Sequence, residues 1–330
     1  MFGRESQFWM GGIRATNLKE VTDDPAKLDD GSFWAVSVSF EGKAIFAKFS
    51  DVESKEFPKA EWNELTGSWK SSLTEIEYMA YVSAIKESIA EGGVYQVNAC
   101  RQLDHPLRIE EQSIAGLFSQ LLKGNPAPYS CYFNVEELEI ASASPERFLK
   151  RVGSAILTSP IKGTIRQNED SFGEKDKAEN LMIVDLMRND LGRICKAGTV
   201  DVPELFRHEK HPGITHLVSD VQGELRDAIS WGEILSIIPP GSVSGAPKSA
   251  AVSIIEEYEG VRGPYCGALG WIQGDRAELS VAIRTFWNNG DSILRFGTGA
   301  GITWGSDPAA EWEETELKAR HLISLAGGQL

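Results

Sequence analysis

A single lysine stands between a proline and a glycine in the segment Pro160-Ile161-Lys162-Gly163-Thr164. The segment follows an apolar β-type run at 155–158, so the lysine is predicted to lie just past the end of a strand. Proline braces the backbone there, and glycine lets another group approach it closely. A nucleophilic lysine needs such a position, because it must be held in place, partly desolvated and neutral. An ordinary turn that contains a lysine is the alternative, and this segment alone leaves it open.

Two predicted helices, over about 173–191 and 308–325, each carry a pair of acidic residues at a spacing of three. The pairs are Asp176 with Glu179 and Glu311 with Glu314. That spacing puts both carboxylates of a pair on one helix face. Two such faces could share a hard divalent cation, and Mg²⁺ is favoured because it takes oxygen ligands and keeps several waters. Solvated acidic faces are the alternative, but a short glycine-containing segment precedes each pair and favours the metal site.

Two further segments are rich in glycine. The segment 297–301 is predicted to follow a strand, where small residues let backbone N–H groups reach a carboxylate. Its spacing is not GxGxxG, which disfavours a dinucleotide-binding fold. The segment 241–249 opens a helix, but Pro247 stands where a Walker A loop has glycine, which disfavours an NTPase. It either brings Ser242 and backbone amides to a substrate or only begins the helix, and both readings stay open.

Composition and charge exclude several classes of protein. Of the 330 residues 42% are hydrophobic and 25% charged, as in soluble globular proteins. The formal charge of −15 disfavours nucleic-acid binding, and an anionic substrate would need positive charge supplied locally. No apolar run reaches membrane-spanning length, and the N-terminus does not resemble a signal peptide. The four cysteines lack CxxC spacing, so they are predicted to be reduced thiols of a cytoplasmic protein.

The elements that would position these residues alternate in groups of strands and helices. Strands are predicted at 95–100, 130–135, 138–142, 147–151, 154–158, 215–224, 266–273, 278–286 and 292–297, and further helices at 229–237 and 248–259. The capping box Thr74-Glu75-Ile76-Glu77 begins another helix, with Ile76 and Ile85 on its inner side. Regular βαβ alternation is absent, which favours an α+β fold with large, mostly antiparallel sheets. We predict one catalytic domain over 1–330, with strands and loops at 1–72 as a short N-terminal portion.

Taken together, the segments resemble the chorismate-utilising enzymes, a family that includes anthranilate, aminodeoxychorismate, isochorismate and salicylate synthases. The resemblance covers about 75–325 and rests on the strings Tyr95-Gln96-Val97-Asn98, Ser144-Pro145-Glu146-Arg147-Phe148, Pro160 to Thr164, Ala178 to Asp190, Gly241 to Lys248, Gly263-Pro264-Tyr265-Cys266-Gly267, Gly297 to Gly301 and Glu311 to Lys318. The family's fold, two large antiparallel sheets packed as a sandwich with helices outside, is therefore expected here. The chorismate-binding core is expected over 75–325.

Two positions narrow the expected activity within the family. Water-using members carry a lysine base where this chain has Gln96, so Gln96 points to ammonia as the nucleophile. Anthranilate synthases carry alanine where this chain has Lys162, whereas Pro-Ile-Lys-Gly-Thr is similar to the branch that forms 4-amino-4-deoxychorismate for 4-aminobenzoate and folate. The alternatives are an anthranilate synthase large component and a non-catalytic scaffold for an amidotransferase. Isochorismate or salicylate formation from water is a weaker alternative.

The resemblance also implies roles for individual residues. Lys162 is expected to be the nucleophile, Glu146 the general acid and Gln96 part of the catalytic set, and the alternative for Glu146 is a surface glutamate beside Arg147. Glu179 and Glu314 are expected to bind Mg²⁺, with Asp176 and Glu311 in support through waters. The implied substrate-binding residues are Thr164, His216, Ser242, Tyr265, Arg284, Gly299, Gly301 and Lys318. For His216 a strand histidine bonded to a neighbour is the alternative.

The resemblance finally implies partners and a cofactor. The substrates would be chorismate and ammonia, with Mg²⁺ as cofactor. No Cys/His pairing in a hydrolase-like context accompanies the segments, so a separate glutamine amidotransferase is expected to deliver ammonia. Neither nucleic acid nor a membrane is expected as a partner. No sign of a pyridoxal-phosphate lyase is present, so the product is expected to retain its enolpyruvyl group.

Overall fold

The computed structural model describes residues 5–108, 112–136, 138–166, 172–211 and 214–330. The helices are α1 Glu75–Ala90, α2 Ile114–Gly124, α3 Glu174–Gly192, α4 Trp231–Leu235, α5 Lys248–Tyr258 and α6 Pro308–Ala326, with 3-10 turns at Pro25–Asp30 and Gly241–Val243. The strands are β1 Gln7–Met10, β2 Ile13–Thr22, β3 Phe33–Val38, β4 Ala44–Ser54, β5 Leu65–Ser68, β6 Lys70–Ser71, β7 Gln96–Pro106, β8 Tyr129–Val135, β9 Leu138–Ser144, β10 Arg147–Val152, β11 Ala155–Ser159, β12 Ile161–Arg166, β13 Asp201–His211, β14 Ile214–Glu224, β15 Gly245–Ala246, β16 Ala268–Gln273, β17 Arg276–Val281, β18 Thr285–Asn288, β19 Ile293–Ile302 and β20 Gly327–Gln329.

Antiparallel hydrogen bonds join eighteen of the described strands into one sheet, and β5 pairs separately with β20. The pairings divide the sheet into two groups of consecutively hydrogen-bonded strands, which we call the first and the second ladder. The first ladder runs β2-β4-β3-β16-β17-β10-β11-β14, with β12 and β13 also on β14. The second runs β8-β9-β18-β19-β7, with β6 and β15 on β7. Only β1 links them among the described strands, because it pairs with β2 on one side and β8 on the other.

Helices pack on both ladders, and two of these helices, α3 and α6, contain the acidic pairs. Helix α3 packs on β12 and β14 of the first ladder, and α6 packs on β19 of the second. The main hydrophobic core contains buried residues from both ladders, such as Trp34 and Val97. A second core lies under α2 and α6 and includes Trp62 and Trp69. Burial of these apolar surfaces is the main force that holds the helices, and therefore their acidic residues, in place.

The α+β fold with antiparallel strands is confirmed. The prediction of two separate sheets needs a correction, because the short strand β1 makes the two ladders continuous. Whether the ladders pack as a sandwich stays a prediction, as does the single catalytic domain. The described part of 1–72 contains β1 to β6, of which all but β5 pair within the large sheet. In the described residues, no helix combines the length and apolar character that crossing a membrane requires.

Two predicted strand boundaries are wrong in ways that matter for the site. The segment 297–301 was expected to follow a strand, but it lies inside β19, which runs to Ile302 because its small residues fit against β7. The run 278–286 is interrupted between β17 and β18, where Arg284 adopts a positive φ of 52°. A positive φ is uncommon for a residue with a side chain and breaks the regular strand there.

Candidate active site

Lys162 is the second residue of β12, and Pro160 separates this strand from β11. The pairing of β12 with β14 shifts register between Ile161 and Thr164, so the lysine stands in a bulge. Gly163 has a φ of 88°, and a Cβ added there would lie 3.0 Å from the Cβ of Asp176. The prediction that glycine permits a close approach at this point is confirmed, and the approaching group belongs to α3.

The amine of Lys162 is partly withdrawn from water. Its Nζ donates to the main-chain oxygen of Ser242 over 3.3 Å. Burial lowers the pKa of Lys162, because removal from water disfavours the charged ammonium, while the negative charge of Glu146 acts in the opposite direction. The neutral, nucleophilic form of the amine is therefore more populated than for a lysine in water.

Glu146 lies between β9 and β10 and is only 4% exposed, which rules out the surface glutamate considered as its alternative. The hydroxyl of Ser242 donates to its Oε1 over 2.6 Å. Burial raises the pKa of Glu146 to about 7, while the bonds from Ser242 and the Ile161 amide and the charge of Lys162 lower it. Arg147 does not pair with Glu146, because its Nε donates to Glu278 over 2.7 Å. Glu146 can therefore hold a proton near neutral pH.

Gln96 begins β7 on the second ladder and lies beside the lysine of the first. A Cβ added at Gly301 would lie 2.5 Å from Gln96 Nε2 and 3.7 Å from Lys162 Nζ, so the three residues surround one small space. Gln96 is 1% exposed, and its Oε1 has no hydrogen-bond partner among the described residues. A buried amide oxygen without a partner costs free energy unless a ligand or water supplies a donor.

The main chain of β19 presents polar groups to this space. Gly299 stands opposite Cys100 of β7, whose N–H donates away from β19 to Glu259 over 2.8 Å. In an antiparallel ladder such a pair points its N–H and C=O groups outward, so those of Gly299 face away from β7. Its carbonyl accepts from Lys318 Nζ over 3.0 Å. The same alternation turns the groups of Gly301 to that side.

The two acidic pairs lie on α3 and α6, and their four carboxylates differ in burial and in hydrogen-bond partners. Glu179 of α3 and Glu314 of α6 both lie near enough to Lys162 for their charges to raise its pKa against the effect of burial. Glu314 Oε1 accepts from Lys318 Nζ over 2.6 Å, and Glu311 is buried. Asp176 caps α3, because its Oδ2 accepts from the N–H of Gly173 over 3.0 Å. The alternative of two fully solvated acidic faces therefore does not describe these residues.

The donor set can be tested for its fit to Mg²⁺. No three His, Cys, Asp or Glu side chains of the described residues are grouped closely enough to hold a metal ion by themselves. Mg²⁺ does not need such a group, because it usually takes one or two carboxylates, a substrate anion and several waters. Glu179 of α3 and Glu314 of α6, whose charges both act on Lys162, offer the two carboxylates that such a site would need.

The remaining predicted substrate-binding residues are spread around the site. His216 is buried in β14, in register with Thr164, whose side chain lies outside the described part of the structure. The buried Tyr265 packs on Gly297, where an added Cβ would lie 2.2 Å from its ring. Burial lowers the pKa of Arg284. Among the described residues, no contact places Arg284 beside Lys162. The clamp role of Arg284 stays a prediction.

Sequence reasoning missed two features of the site. Ser242 was expected to bind substrate, but its hydroxyl and carbonyl contact Glu146 and Lys162. No local signal in the sequence predicts this, since the three residues are far apart along the chain. Cys100 was also missed, although a Cβ added at Gly299 would lie 2.5 Å from its Sγ. The period-two spacing from Gln96 to Cys100 could have placed both on one face of β7.

The chain is similar to known proteins in sequence and in fold. The family model described as chorismate binding enzyme matches residues 21–324. Aminodeoxychorismate synthase component 1 of Escherichia coli is 34% identical, over 94% of this chain and 74% of its own. Anthranilate synthase component 1 of Saccharolobus solfataricus is 39% identical, over 78% of this chain and 64% of its own. The crystal structure of anthranilate synthase component I from Streptococcus pneumoniae superposes with a TM-score of 0.82 at 21% identity, covering 98% of this chain and 93% of that one.

Proposed function

Because the chain belongs to the family of chorismate-binding enzymes, we propose that it is an aminodeoxychorismate synthase component 1. It would convert chorismate and ammonia to 4-amino-4-deoxychorismate and water. The observation that carries the proposal is the buried pair of Lys162 and Glu146, joined through Ser242 and adjacent to Gln96. A neutral amine and a protonated carboxyl are the two forms that this reaction requires, and burial favours both.

Glu146 is the general acid in this proposal. The C4 hydroxyl of chorismate is a poor leaving group unless it receives a proton as the C–O bond breaks. A carboxyl with a pKa of about 7 still carries that proton at neutral pH, whereas an ordinary glutamate does not. Glu146 therefore protonates the departing hydroxyl, which leaves as water.

Lys162 is the nucleophile. Its Nζ forms a bond to C2 of the ring, both ring double bonds shift by one position, and the C4–O bond breaks. The proton that the amine loses passes to Glu146, whose own proton has left with the hydroxyl as water. Ammonia then forms a bond to C4, the double bonds shift back, the C2–N bond breaks, and one proton of the incoming ammonia passes to the Lys162 nitrogen. Two displacements of lower barrier replace one of higher barrier, which is the general benefit of covalent catalysis.

Glu179 and Glu314 would hold Mg²⁺, with Asp176 and Glu311 acting through waters. When bound, the ion would supply Lewis-acid polarisation of the ring carboxylate of chorismate. Asp176 caps the start of α3, and a Cβ added at Gly163 would lie 3.0 Å from its Cβ, so α3 packs closely against the strand that carries Lys162. The protein's own contribution is therefore the placement of two carboxylates beside one lysine.

The dianionic substrate needs local positive charge and donors, because the chain as a whole is strongly acidic. The outward N–H groups of Gly299 and Gly301, together with Arg284, Tyr265 and Lys318, are the proposed clamp on its side-chain carboxylate. Thr164, His216 and Ser242 complete the proposed pocket, with His216 near the ring. Backbone amides are suited to this role, since they bind a carboxylate without requiring a counterion.

Ammonia is the proposed second substrate, supported by Gln96 in place of a base that would activate water. Most ammonia is protonated at neutral pH, so we propose that a separate glutamine amidotransferase delivers it. The name component 1 of the relatives indicates that they work with a further component. The product would keep its enolpyruvyl group until a separate lyase removes it.

The product identifies the activity directly. The purified chain should be incubated with chorismate, ammonium chloride and Mg²⁺, with and without an added 4-amino-4-deoxychorismate lyase. We expect a product with the mass of 4-amino-4-deoxychorismate, which becomes 4-aminobenzoate only when the lyase is present. Chelation of Mg²⁺ should abolish formation of either compound, and readdition should restore it.

Anthranilate synthase is the second candidate, because the relative from Saccharolobus solfataricus has the higher identity of the two named above. Direct formation of fluorescent anthranilate without the lyase would establish that activity and overturn the first. Consumption of chorismate to isochorismate or salicylate without ammonia would show that water is the nucleophile. Complete inactivity with ammonia, but tight binding of an amidotransferase, would indicate a scaffold.

A further inference from the structure

We infer that Ser242 is a positioning residue that couples the general acid to the nucleophile through its hydroxyl and its carbonyl. This inference rests on the proposed function and deepens it. The hydroxyl donates to Glu146 Oε1 over 2.6 Å, and the carbonyl of the same residue accepts from Lys162 Nζ over 3.3 Å. Ser242 is 3% exposed, so neither contact is exchanged with bulk water.

The turn that carries Ser242 is itself fixed. It is the 3-10 turn Gly241–Val243, and a Cβ added at Gly241 would lie 2.7 Å from the side chain of Leu186 in α3. The hydroxyl of Ser244 closes the turn by donating to the carbonyl of Pro240 over 3.0 Å. A turn held at both ends can set the positions of two catalytic groups to within a fraction of an ångström.

The hydroxyl determines which carboxyl oxygen of Glu146 acts. A serine hydroxyl has one proton to donate, and here it is given to Oε1. With Oε1 accepting this bond, the acidic proton of Glu146 is expected on Oε2. Ser242 cannot donate the same proton to a substrate, so its contribution to substrate binding is limited to accepting a bond.

The carbonyl determines the direction of the amine. A neutral lysine amine has two N–H bonds and one lone pair, and one of the N–H bonds is directed at the Ser242 carbonyl. The lone pair then points elsewhere, and Gln96 and Gly301 border the space next to Nζ. One residue thus orients the proton of the acid and the lone pair of the nucleophile.

The charges around Glu146 make its titration a usable signal. The charged side chain that acts on Glu146 among the described residues is Lys162, since Arg147 is turned to Glu278. The bond from Ser242 favours the ionised carboxylate, so its removal raises the pKa of Glu146 above about 7. Because the acid must be protonated, activity falls as pH rises through this pKa.

The test measures chorismate consumption by Ser242→Ala as a function of pH. We expect kcat on the plateau to fall about tenfold or more, as for a displaced general acid, with less than about a threefold change in KM for chorismate. The basic limb should move to higher pH by about half a unit or more. Ser244→Ala is the matched control, because it removes a hydroxyl that stabilises the same turn but contacts neither catalytic group, so its basic limb should stay at the wild-type pH.

Each outcome decides for or against the positioning role. A higher KM with an unmoved basic limb would show that Ser242 binds substrate instead, and equal losses in both variants would show that it only stabilises the turn. If Ser242→Ala does not fold, Ser242→Thr keeps the donor, and its basic limb should stay at the wild-type pH; a shifted limb overturns the inference. The measurement follows chorismate, so a product other than 4-amino-4-deoxychorismate would refute the proposed function without affecting this comparison.

Discussion

Burial moves the pKa values of Glu146 and Lys162 in opposite directions, upward for the carboxyl and downward for the amine. A surface pair would exist as carboxylate and ammonium, which is the wrong protonation for an acid and a nucleophile. Removing both from water favours the neutral forms, even though each group's charge favours ionisation of the other. The site therefore depends on how completely the two ladders exclude water from this pair.

Lys162→Ala tests the covalent step. The wild-type chain mixed with chorismate and Mg²⁺ and quenched in acid should show a mass increase on this lysine, whereas the variant should show none. We expect 4-amino-4-deoxychorismate formation to slow about a hundredfold or more. Lys196→Ala is the control, because that lysine is partly exposed and is paired with Glu224. Unchanged turnover of Lys162→Ala would remove the lysine adduct from the reaction.

Glu146→Gln should stabilise the protein above neutral pH. The folded state holds the proton up to about pH 7, whereas the unfolded chain releases it near 4.5. Between these values the folded state binds more protons, so its stability falls as pH rises. By pH 8 this titration has lowered the free energy of unfolding of the wild type by about 3 kcal/mol. Glutamine does not titrate, so the variant avoids this loss of stability. Denaturant titrations at pH 5 and pH 8 measure it, and the exposed Glu256→Gln should leave the pH dependence unchanged.

At the scale of elements, the row of glycines in β19 leaves space for side chains at the site. Gly297, Gly299 and Gly301 point to one face of the strand, as the period of two requires. Added Cβ atoms would meet the ring of Tyr265, the sulfur of Cys100 and the amide of Gln96 in turn. Gln96 and Cys100 on β7, together with Tyr265 between α5 and β16, therefore occupy the space that larger residues on β19 would take.

Gly301→Ala should disrupt the site with little effect on the fold. The added methyl would lie 2.5 Å from Gln96 Nε2, which must move, and 3.7 Å from the nucleophilic amine. A displacement of about 1 Å at a reacting group can cost about a hundredfold in kcat/KM. Gly305→Ala is the control, since its added methyl meets nothing within 4 Å. Equal effects of the two variants on activity would contradict the placement of Gln96 beside Lys162.

The sequence predicted most elements, and its errors have physical causes. The capping box at Thr74 is confirmed, and so is the inner position of Ile85, but Ile76 is 81% exposed. Helix α1 instead buries Tyr78 and Tyr81, whose hydroxyls bond to Ala99 O and Glu259. Apolar spacing cannot predict that choice, because it depends on partners distant in sequence. Helix α2 was not predicted, although its N-cap Ser113 was a usable signal.

At the scale of the molecule, the site forms where the two ladders meet. Lys162 comes from the first ladder, whereas Gln96 and Gly301 come from the second. The sequence could identify these residues by type. It could not predict that β1 joins the ladders, nor that Ser242 contacts both Glu146 and Lys162. Non-local pairing is decided by packing across the whole core, which local patterns do not encode. The residue types were therefore predictable and their contacts were not.

The net charge of the molecule opposes its own proposed substrate. A formal charge of −15 repels a dianion at long range, while the groups that would bind it, such as Lys318, act only within the site. At low ionic strength the field of the whole chain extends about 30 Å into solution, and at physiological ionic strength about 8 Å. Added salt thus screens the distant acidic residues more than the local clamp.

We therefore expect kcat/KM for chorismate to rise with salt. Between about 20 and 150 mM KCl, at fixed saturating Mg²⁺, the increase should be about threefold or more, because screening removes repulsion during approach. The value of kcat should change less than about twofold, since the bound state is already neutralised locally. Replacing two exposed acids, Asp23→Lys and Glu56→Lys, should raise kcat/KM at low salt and flatten its salt dependence. A fall in kcat/KM with salt would show instead that a local positive field guides the substrate and outweighs the charge of the chain.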